Sequence, residues 1–335
     1  MNYEELMLRA IKKANKYRHT AKPNPVVGAI IFKENEIISE GYHETYGENH
    51  AEINAIGEAQ KFLGKKFQDF SELSLLCTLE PCSHIGKTGS CADFIVKNGF
   101  KKVIVGAIDP NPKVAGRGIK ILKNNNVQVE IGICKNLVEE QNKFFFYKHK
   151  SNKPFITVKI ASSADGKSHI NGKRIFITSE ASRDDVQLVR ADHDAILTGG
   201  NTLRNDNPRM NARVNFSLNQ SKKILLTNNM YNKESNFFKN GSVDVFEIND
   251  LTKIVNSYKD TEICSILVEA GPKLVNSFLR ERMVDELIIY TSPKKLGEKG
   301  INWFYEDNAI ENYGFKLESS YKIDTDLKEI FKRDE

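Results

Sequence analysis

The amino-acid sequence predicts an α/β protein made of two successive domains. Short apolar runs typical of strands alternate with amphipathic runs typical of helices along the 335 residues. That length exceeds the usual size of one domain. A polar, basic stretch that ends in proline, 148–154, interrupts the pattern near the middle. We therefore expect a first domain at 1–147, a linker at 148–154 and a second domain at 155–335.

The composition is that of an ordinary soluble protein, with 40% hydrophobic and 28% charged residues. A net charge of +5 fits a small anionic substrate better than a nucleic acid, which is typically bound by a basic stripe with interleaved aromatic residues. No apolar stretch has the length of a membrane span, and the N-terminus has no apolar signal core. We expect no nucleic-acid partner, no membrane association and a homo-oligomer, either a dimer or a tetramer.

The five cysteines, an odd number without regular spacing, argue against a disulfide framework and predict a reducing, cytoplasmic location. Cys77, Cys134 and Cys264 lie among apolar residues, which is typical of buried free thiols. The other two cysteines carry the candidate chemistry described below.

The first half predicts a mixed sheet covered by helices. Apolar residues at helical spacing open the chain, and two apolar runs around the polar turn 33–35 indicate a β-hairpin. Helices are expected at 3–17, 50–62, 91–98 and 139–147, and strands at 26–32, 36–41, 73–79, 103–107 and 127–131.

The second half starts again with a strand. Gly199-Gly200 ends one predicted strand and Gly271 follows another, so backbone N–H groups there could approach a phosphate, although a plain turn is the alternative at each. A G-x-G-x-x-G dinucleotide fingerprint is absent. Strands are expected at 155–161, 195–200, 223–227, 243–248, 263–268, 287–291 and 315–323, the last completing the sheet, and helices at 180–190 and 272–282.

His50, Cys82 and Cys91 form a candidate zinc site. Three protein ligands leave one position for water, which distinguishes a catalytic zinc site from a closed structural one. Glu52 lies two residues after the histidine and could move protons for a zinc-activated water. Asn49 is the predicted N-cap that places both residues in a first helical turn, and Pro81 is expected to begin a helix at Cys82. A capping box between Asn49 and Glu52 is the alternative interpretation of the glutamate.

The order of these residues resembles the zinc deaminases of nucleobases and nucleosides, whose signature is H-x-E followed by P-C-x-x-C. Here eight residues separate the two cysteines. With that longer spacing, the first half resembles the deaminase part of the bifunctional riboflavin-biosynthesis deaminase-reductases, and a cytidine-deaminase-like fold is implied. Ala29, Gly89 and Ser90 depart from the family pattern, but none is a ligand. The matching motifs are Pro23–Gly28, Thr78–His84, Gly86–Thr88, Cys91–Asp93, Asp109–Pro112 and Ala115–Gly118.

The second half resembles the reductase part of the same family, which implies a dihydrofolate-reductase-like fold and the cofactor NADPH. Only the segment around 229–241 has no counterpart, and Phe176 stands where tryptophan is frequent. The matching motifs are Phe155–Lys159, Ala164–Lys167, Ile177–Ser179, Val186–Gln187, Arg190–Ala191, Ala195–Leu197, Asp206–Arg209 and Val268–Pro272. By position, the resemblance implies NADPH contacts at Ala161, Phe176, Thr202, Asp206, Asn228, Gly271, Pro272 and Lys273. It implies substrate contacts at Arg174, Arg190, Met210, Arg213 and Glu269.

The resemblance implies two successive reactions on a phosphorylated pyrimidine. Zinc-dependent deamination of 2,5-diamino-6-(ribosylamino)pyrimidin-4-one 5'-phosphate, with Glu52 as proton shuttle, would be followed by NADPH-dependent reduction of the ribosyl group to ribityl. Lys159 and Asp206 both remain candidates for the proton donor of the reduction. Two other functions are open at this point: a nucleotide or tRNA deaminase with an unrelated C-terminal domain, and a non-catalytic zinc-stabilised binding protein.

Overall fold

The computed structural model describes residues 2–34, 36–64, 69–83, 89–112, 114–171, 175–247, 250–305 and 310–334. Contacts within the chain divide it into two compact units, Met1–Asn152 and Lys153–Glu335. Among the described residues, no helix is both long enough and apolar enough to cross a lipid bilayer.

The first unit contains one five-stranded sheet with helices on both faces. Its helices are α1 (Tyr3–Ala14), α2 (Arg18–Ala21), α3 (Ala51–Leu63), α4 (Cys91–Lys97), α5 (Arg117–Asn124), α6 (Lys135–Gln141) and α7 (Lys143–Ser151). Its strands are β1 (Gly28–Lys33), β2 (Glu36–Tyr42), β3 (Ser74–Leu79), β4 (Lys102–Ala107) and β5 (Gln128–Ile131).

The strand order of this sheet is β2-β1-β3-β4-β5. Strand β1 is antiparallel to both of its neighbours, whereas β3, β4 and β5 are parallel. Two apolar clusters cover the two faces, one with α3 and α4 and the other with α1. The carboxyl ends of β3 and β4 lie at the same edge, where α/β sheets usually bind their ligands.

The second unit is built on an eight-stranded sheet and a separate two-stranded one. Its helices are α8 (Glu180–Asp192), α9 (Gly200–Asp206), α10 (Leu251–Asn256) and α11 (Pro272–Arg280). Its strands are β6 (Phe155–Ser163), β7 (Lys167–Ile170), β8 (Ala195–Gly199), β9 (Lys222–Leu226), β10 (Val243–Phe246), β11 (Ser265–Val268), β12 (Glu286–Ser292), β13 (Gly300–Asn302), β14 (Phe315–Ile323) and β15 (Asp326–Arg333).

The large sheet has the order β10-β9-β8-β11-β6-β12-β15-β14, and β13 pairs with β7. From β10 to β12 all neighbours are parallel, and β15 and β14 are antiparallel additions. Helix α8 packs on one face of this sheet through Val186 and Val189, and α11 packs on the other through Val275 and Phe278. The α/β class and the mixed first sheet are confirmed.

Several sequence-based bounds were wrong. Strand β15 was missed, and it lies between β12 and β14, so β14 alone does not complete the sheet. The predicted helix 139–147 is two helices that meet at Asn142, and the second continues to Ser151. Asn142 explains the interruption, because its side chain pairs with both backbone groups of Val26. Asn35 of the predicted turn and Ile248 of the predicted strand 243–248 lie outside the described residues.

Candidate active sites

The three predicted zinc ligands come together in the first unit. The candidate ligand atoms of His50, Cys82 and Cys91 all lie within 4.8 Å of one another, and His50 Nδ1 is 3.3 Å from Cys91 Sγ. Tetrahedral zinc with bonds of about 2.0–2.3 Å places its donor atoms roughly 3.3–3.8 Å apart. One imidazole nitrogen and two sulfurs are also a donor set that zinc prefers, so the residues fit the ion.

Each ligand lies at the end of a secondary-structure element. His50 is the N-cap residue of α3, Cys82 follows β3, and Cys91 is the first residue of α4. The N-cap of α4 is Ser90, whose hydroxyl accepts the Asp93 backbone N–H at 3.0 Å. Two ligands are thus placed by helix starts, and the third by the irregular chain that follows β3.

The local structure differs from the prediction in two ways. His50, not Asn49, is the N-cap of α3, and it makes no side-chain capping bond, so the capping-box alternative for Glu52 is not formed. The chain at Pro81 and Cys82 is irregular and does not start a helix there. In both places extended or irregular chain leads into the site. Residues 84–88 of the matched motif lie outside the described residues.

Glu52 lies in the first turn of α3, and only 3% of it is exposed. Burial raises the pKa of its carboxyl to about 7, with His50 opposing the shift. A general acid-base group is most effective when its pKa lies near the working pH. A cation held by the three ligands would lower this pKa, because an opposite charge favours the carboxylate.

The two thiols differ sharply. A hydrogen bond from the Cys91 thiol lowers the pKa of Cys82 below its usual range, and the same contact together with burial raises the pKa of Cys91. The hydrogen bond with Cys82 also raises the pKa of His50. One thiolate is therefore already favoured, and a divalent cation would favour the second as well.

His43 is a candidate site residue that the sequence analysis missed. It follows β2, its ring lies 5.6 Å from the ring of His50, and it is 3% exposed. Its Nε2 is 3.0 Å from Asn24 Nδ2, and its Nδ1 is 3.1 Å from the Asn49 carbonyl oxygen. Burial lowers the pKa of His43, which favours a neutral ring that can hydrogen bond through either nitrogen. In the sequence, its position seven residues before His50 could have indicated that His43 lies near the metal site.

In the second unit, a buried ion-pair cluster joins three elements. Glu269, which is 5% exposed and follows β11, contacts Arg190 of α8 through both carboxylate oxygens, at 2.5 Å from Nε and 2.9 Å from Nη2. Lys159 of β6 places its Nζ 3.0 Å from the same carboxylate. Despite burial, Arg190 and then Lys159 hold the pKa of Glu269 far below its usual range.

Two other predicted substrate residues lie beside this cluster. Met210 Sδ is 3.7 Å from Arg190 Nη2, and the backbone N–H of Arg213 donates to Gln187 Oε1 at 3.3 Å. Burial, followed by repulsion from Arg190 and Arg209, lowers the pKa of Arg213. Clustered guanidinium groups are suited to a phosphate, which accepts two hydrogen bonds from each planar fork. Arg174 lies outside the described residues.

A wide, open cavity of about 750 Å³ lies next to this region. Gln187 and Arg213 form part of its wall, whereas Arg190, Lys159 and Glu269 do not line it. The remaining lining residues are Ala181, Asp184, Asp185, Leu188, Val214, Asn215, Phe216 and Ile323.

Most residues proposed for the cofactor follow the carboxyl ends of parallel strands. Strands β9, β8, β11 and β6 are consecutive neighbours in the sheet, so the residues after them meet at one edge. Gly271 is the N-cap of α11 and Pro272 its first residue, an arrangement that favours an anionic group. Phe176 is different, because it is 62% exposed and its ring lies over the guanidinium of Arg183 at 4.7 Å. The strand-end residues are Ala161 near the end of β6, Thr202 and Asp206 on α9, Asn228 after β9, and Gly271, Pro272 and Lys273 after β11.

Comparison with known families matches each unit separately. Residues 1–107 match the model of the cytidine and deoxycytidylate deaminase zinc-binding region. Residues 154–328 match the model of the RibD C-terminal domain.

Full-length relatives and solved structures show the same pairing of domains. The riboflavin biosynthesis protein RibD of Aquifex aeolicus (strain VF5) is 34% identical over 322 residues, which are 89% of this chain and 88% of the relative. RibD of Escherichia coli (strain K12) is 33% identical and covers 89% of each chain. The structure of Acinetobacter baumannii RibD, form 1, matches with a TM-score of 0.89, 33% identity and 99% of each chain. The diaminohydroxyphosphoribosylaminopyrimidine deaminase/5-amino-6-(5-phosphoribosylamino)uracil reductase of Thermotoga maritima matches with a TM-score of 0.86, 30% identity and 99% of each chain.

Proposed function

Because this chain belongs to the RibD family of bifunctional riboflavin-biosynthesis deaminase-reductases, we propose that its two units act in turn on one phosphorylated pyrimidine. The first unit removes the 2-amino group of 2,5-diamino-6-(ribosylamino)pyrimidin-4-one 5'-phosphate. The second unit reduces the ribosyl group of the resulting 5-amino-6-(5-phosphoribosylamino)uracil. The match of residues 154–328 excludes the earlier alternative of an unrelated C-terminal domain.

The observation that carries the deaminase assignment is the convergence of His50, Cys82 and Cys91 beside a buried Glu52. Zinc, when bound by these three ligands, supplies an activated water at neutral pH. Glu52 lies in the turn that follows His50, so its carboxylate can accept a proton in the site and return it to the ring nitrogen. A second proton transfer to the departing amine releases ammonia. The three-ligand set, which leaves one position for water, and the buried carboxylate next to it support this shuttle role and argue against a purely structural zinc site.

The reductase assignment rests on the buried cluster of Lys159, Arg190 and Glu269, with Met210 in contact with Arg190. A nicotinamide cofactor, NADPH in this proposal, supplies hydride when bound at the strand edge. Transfer of that hydride to C1' would open the C1'–O4' bond, and O4' would then take up a proton. Lys159 is the better candidate for that proton, because its ammonium is held inside the cluster by Glu269, whereas Asp206 ends α9. Arg190 and Arg213 are proposed to bind the substrate phosphate.

The two proposed reactions and their order are tested most directly by a two-stage assay of the purified protein. Without NADPH, the diaminopyrimidine phosphate should yield one equivalent of ammonia and no ribityl product. Addition of NADPH should then cause oxidation of one equivalent, measured at the nicotinamide absorbance. NADPH oxidation without prior ammonia release would reverse the proposed order, and no ammonia under either condition would refute the deaminase assignment.

Two further properties are proposals of the same kind. We propose a cytoplasmic location, because Cys77, Cys134 and Cys264 are free thiols in the structure, as in reducing compartments. We also propose a homo-oligomer, a dimer or tetramer, because β14 is an outer strand of the described sheet and exposes Leu317 and Tyr321 by 54% and 53%. Light scattering coupled to size-exclusion chromatography measures the mass directly, and a mass of one chain at micromolar concentration would refute the oligomer.

A further inference from the structure

We propose that Glu80 is a positioning residue of the deaminase site, where its carboxylate fixes the described residues of the loop after β4, 108–112 and 114–116, as a wall of the substrate pocket. This inference rests on the proposed deamination. Glu80 follows β3, is 3% exposed, and lies two residues before the ligand Cys82. Its role is distinct from that of Glu52, because its carboxylate oxygens accept backbone N–H groups of another segment.

Three backbone N–H groups donate to this one carboxylate. Asp109 N and Gly116 N lie 3.2 and 2.9 Å from Oε2, and Ile119 N lies 3.2 Å from Oε1. These donors bracket the loop after β4 and the first turn of α5. Glu80 therefore acts as a cap for a helix far away in sequence and closes the loop at both of its ends.

The close packing of α5 on the same strand end supports this role. Gly118, in the first turn of α5, would place a Cβ only 1.9 Å from the Pro81 carbonyl oxygen and 3.3 Å from Glu80 Oε1. The Glu80 backbone N–H also donates to the Ala107 carbonyl oxygen at 2.9 Å. Loop, helix start and ligand-bearing segment are thus in direct contact, with no space for a side chain between them.

The topology places this loop beside the metal ligands. Strands β3 and β4 are parallel neighbours with Leu79 opposite Ala107, so Cys82 and the loop after Ala107 leave the sheet at the same edge. Ile108 begins the loop and is 45% exposed, an apolar side chain available to a flat heterocycle. A substrate ring held at the three ligands therefore borders on this loop, and the loop position affects how tightly the ring binds.

The test is Glu80→Gln, with Glu72→Gln as the matched control. Glutamine keeps the shape of glutamate but offers one acceptor oxygen and an NH2 group, so at least one of the three N–H groups faces a donor. Glu72 carries the same change at a side chain that is 81% exposed in the same unit. We expect Glu80→Gln to raise the deaminase KM about ten- to hundredfold, the factor that one charge-assisted hydrogen bond is worth. The value of kcat should stay within about threefold, because loop contacts are made in both ground and transition states.

Three readouts separate positioning from general stability. Zinc should remain at one per chain, the reductase rate should not change, and amide exchange in 108–119 should become faster in Glu80→Gln but not in Glu72→Gln. A merely structural role lowers the fraction of active protein, and hence kcat and zinc content, without raising KM. An unchanged KM, or activity lost in proportion to zinc, overturns the proposal.

Two further outcomes also decide the matter. If Glu80→Gln does not fold, the test is amide hydrogen exchange of the wild-type chain. Exchange in 109–116 should become slower when the diaminopyrimidine phosphate is bound. An unchanged exchange rate would refute the proposal that this loop borders the substrate. If the wild-type chain releases no ammonia, the proposed deamination has failed. The positioning role of Glu80 is tested separately: if amide exchange in 108–119 is no faster in Glu80→Gln than in the wild type, that role is refuted.

Discussion

Replacing Glu269 by glutamine should destabilise the second unit more than any surface charge change. The carboxylate lies 3.0 Å from Lys159 Nζ and 2.9 Å from Arg190 Nη2, and the side chains of these two partners are only 16% and 11% exposed. Glu269→Gln keeps the size of the side chain but leaves two buried cations without a counter-charge. At an effective dielectric constant of about 20, a charge pair at 3 Å attracts by roughly 5.5 kcal/mol.

The net effect is smaller than the sum of two such attractions, because the carboxylate no longer has to be desolvated. Removing one partner of a buried ion pair typically costs about 3–5 kcal/mol. For a unit of this size, each kcal/mol lowers the melting temperature by about 2–4 °C, which predicts a decrease of roughly 6–20 °C. Glu318→Gln is the control, since Glu318 pairs with Lys332 while 43% exposed, and surface pairs contribute about 1 kcal/mol or less.

The pH dependence gives a second measurement of the same interaction. The pKa of Glu269 is lowered in the folded chain from its ordinary value of 4.5, so its stabilising contribution is fully present above that value. The contribution decreases as the pH falls below about 4.5 and disappears below the folded-state pKa. The difference in unfolding free energy between wild type and Glu269→Gln should therefore be constant from pH 6 to 8 and shrink in acid.

Calorimetry and urea unfolding measure this difference, and added inorganic phosphate provides a functional control. An anion bound near Arg190 should raise the melting temperature of Glu269→Gln more than that of the wild type, because it restores a counter-charge. The reasoning is refuted if Glu269→Gln melts within 2 °C of the wild type, or if the difference is the same at pH 3 as at pH 7.

Three other substitutions test the remaining assignments. Glu52→Gln should keep one zinc per chain and lose about 10²- to 10⁴-fold in deamination rate, and normal deamination would refute the shuttle. Cys82→Ser should lose zinc and ammonia release but still oxidise NADPH with the deaminated substrate, because the ligands and the reductase cluster belong to separate units. Circular dichroism must accompany that assay, since zinc can also stabilise the fold, and a folded variant without reductase activity would show coupling. Arg190→Lys keeps the charge but loses the bidentate contact, so the reductase KM should rise about tenfold while deamination is unchanged, and an equal loss in both reactions would contradict its assignment.

The local parts of the sites could be predicted from the sequence, because spacing along one element determines them. His50 and Glu52 lie at the same helix start, and Pro81 directly precedes Cys82. Short sequence motifs were therefore sufficient to predict the three metal ligands. The helix bounds around those motifs were less predictable. His50 takes the N-cap position although Asn49 has the higher capping propensity, and its side chain makes no capping bond.

The long-range parts could not be predicted from spacing. Glu269 meets Lys159 and Arg190 only because β11 lies beside β6 and α8 packs across them, and the spacing of 109 residues between Lys159 and Glu269 does not specify that order. The missed strand β15 has a similar cause, because it inserts between β12 and β14 and its charged residues break the alternation expected of a strand. Its pairing partner, not its composition, makes it a strand.

Glutamates that are equally buried perform different tasks in the two units, and their neighbours decide which. Glu52 is 3% exposed, and burial outweighs the opposing charge of His50, so the pKa of its carboxyl rises to about 7 and it can exchange protons. Glu269 is 5% exposed, yet two cations keep it ionised, so it holds Lys159 and Arg190 in place. To give each glutamate the role of the other, the neighbouring cationic side chains would have to change, not the glutamates themselves. Sequence motifs therefore identify these glutamates. Their protonation states, and so their chemical roles, depend on the residues that the fold brings near them.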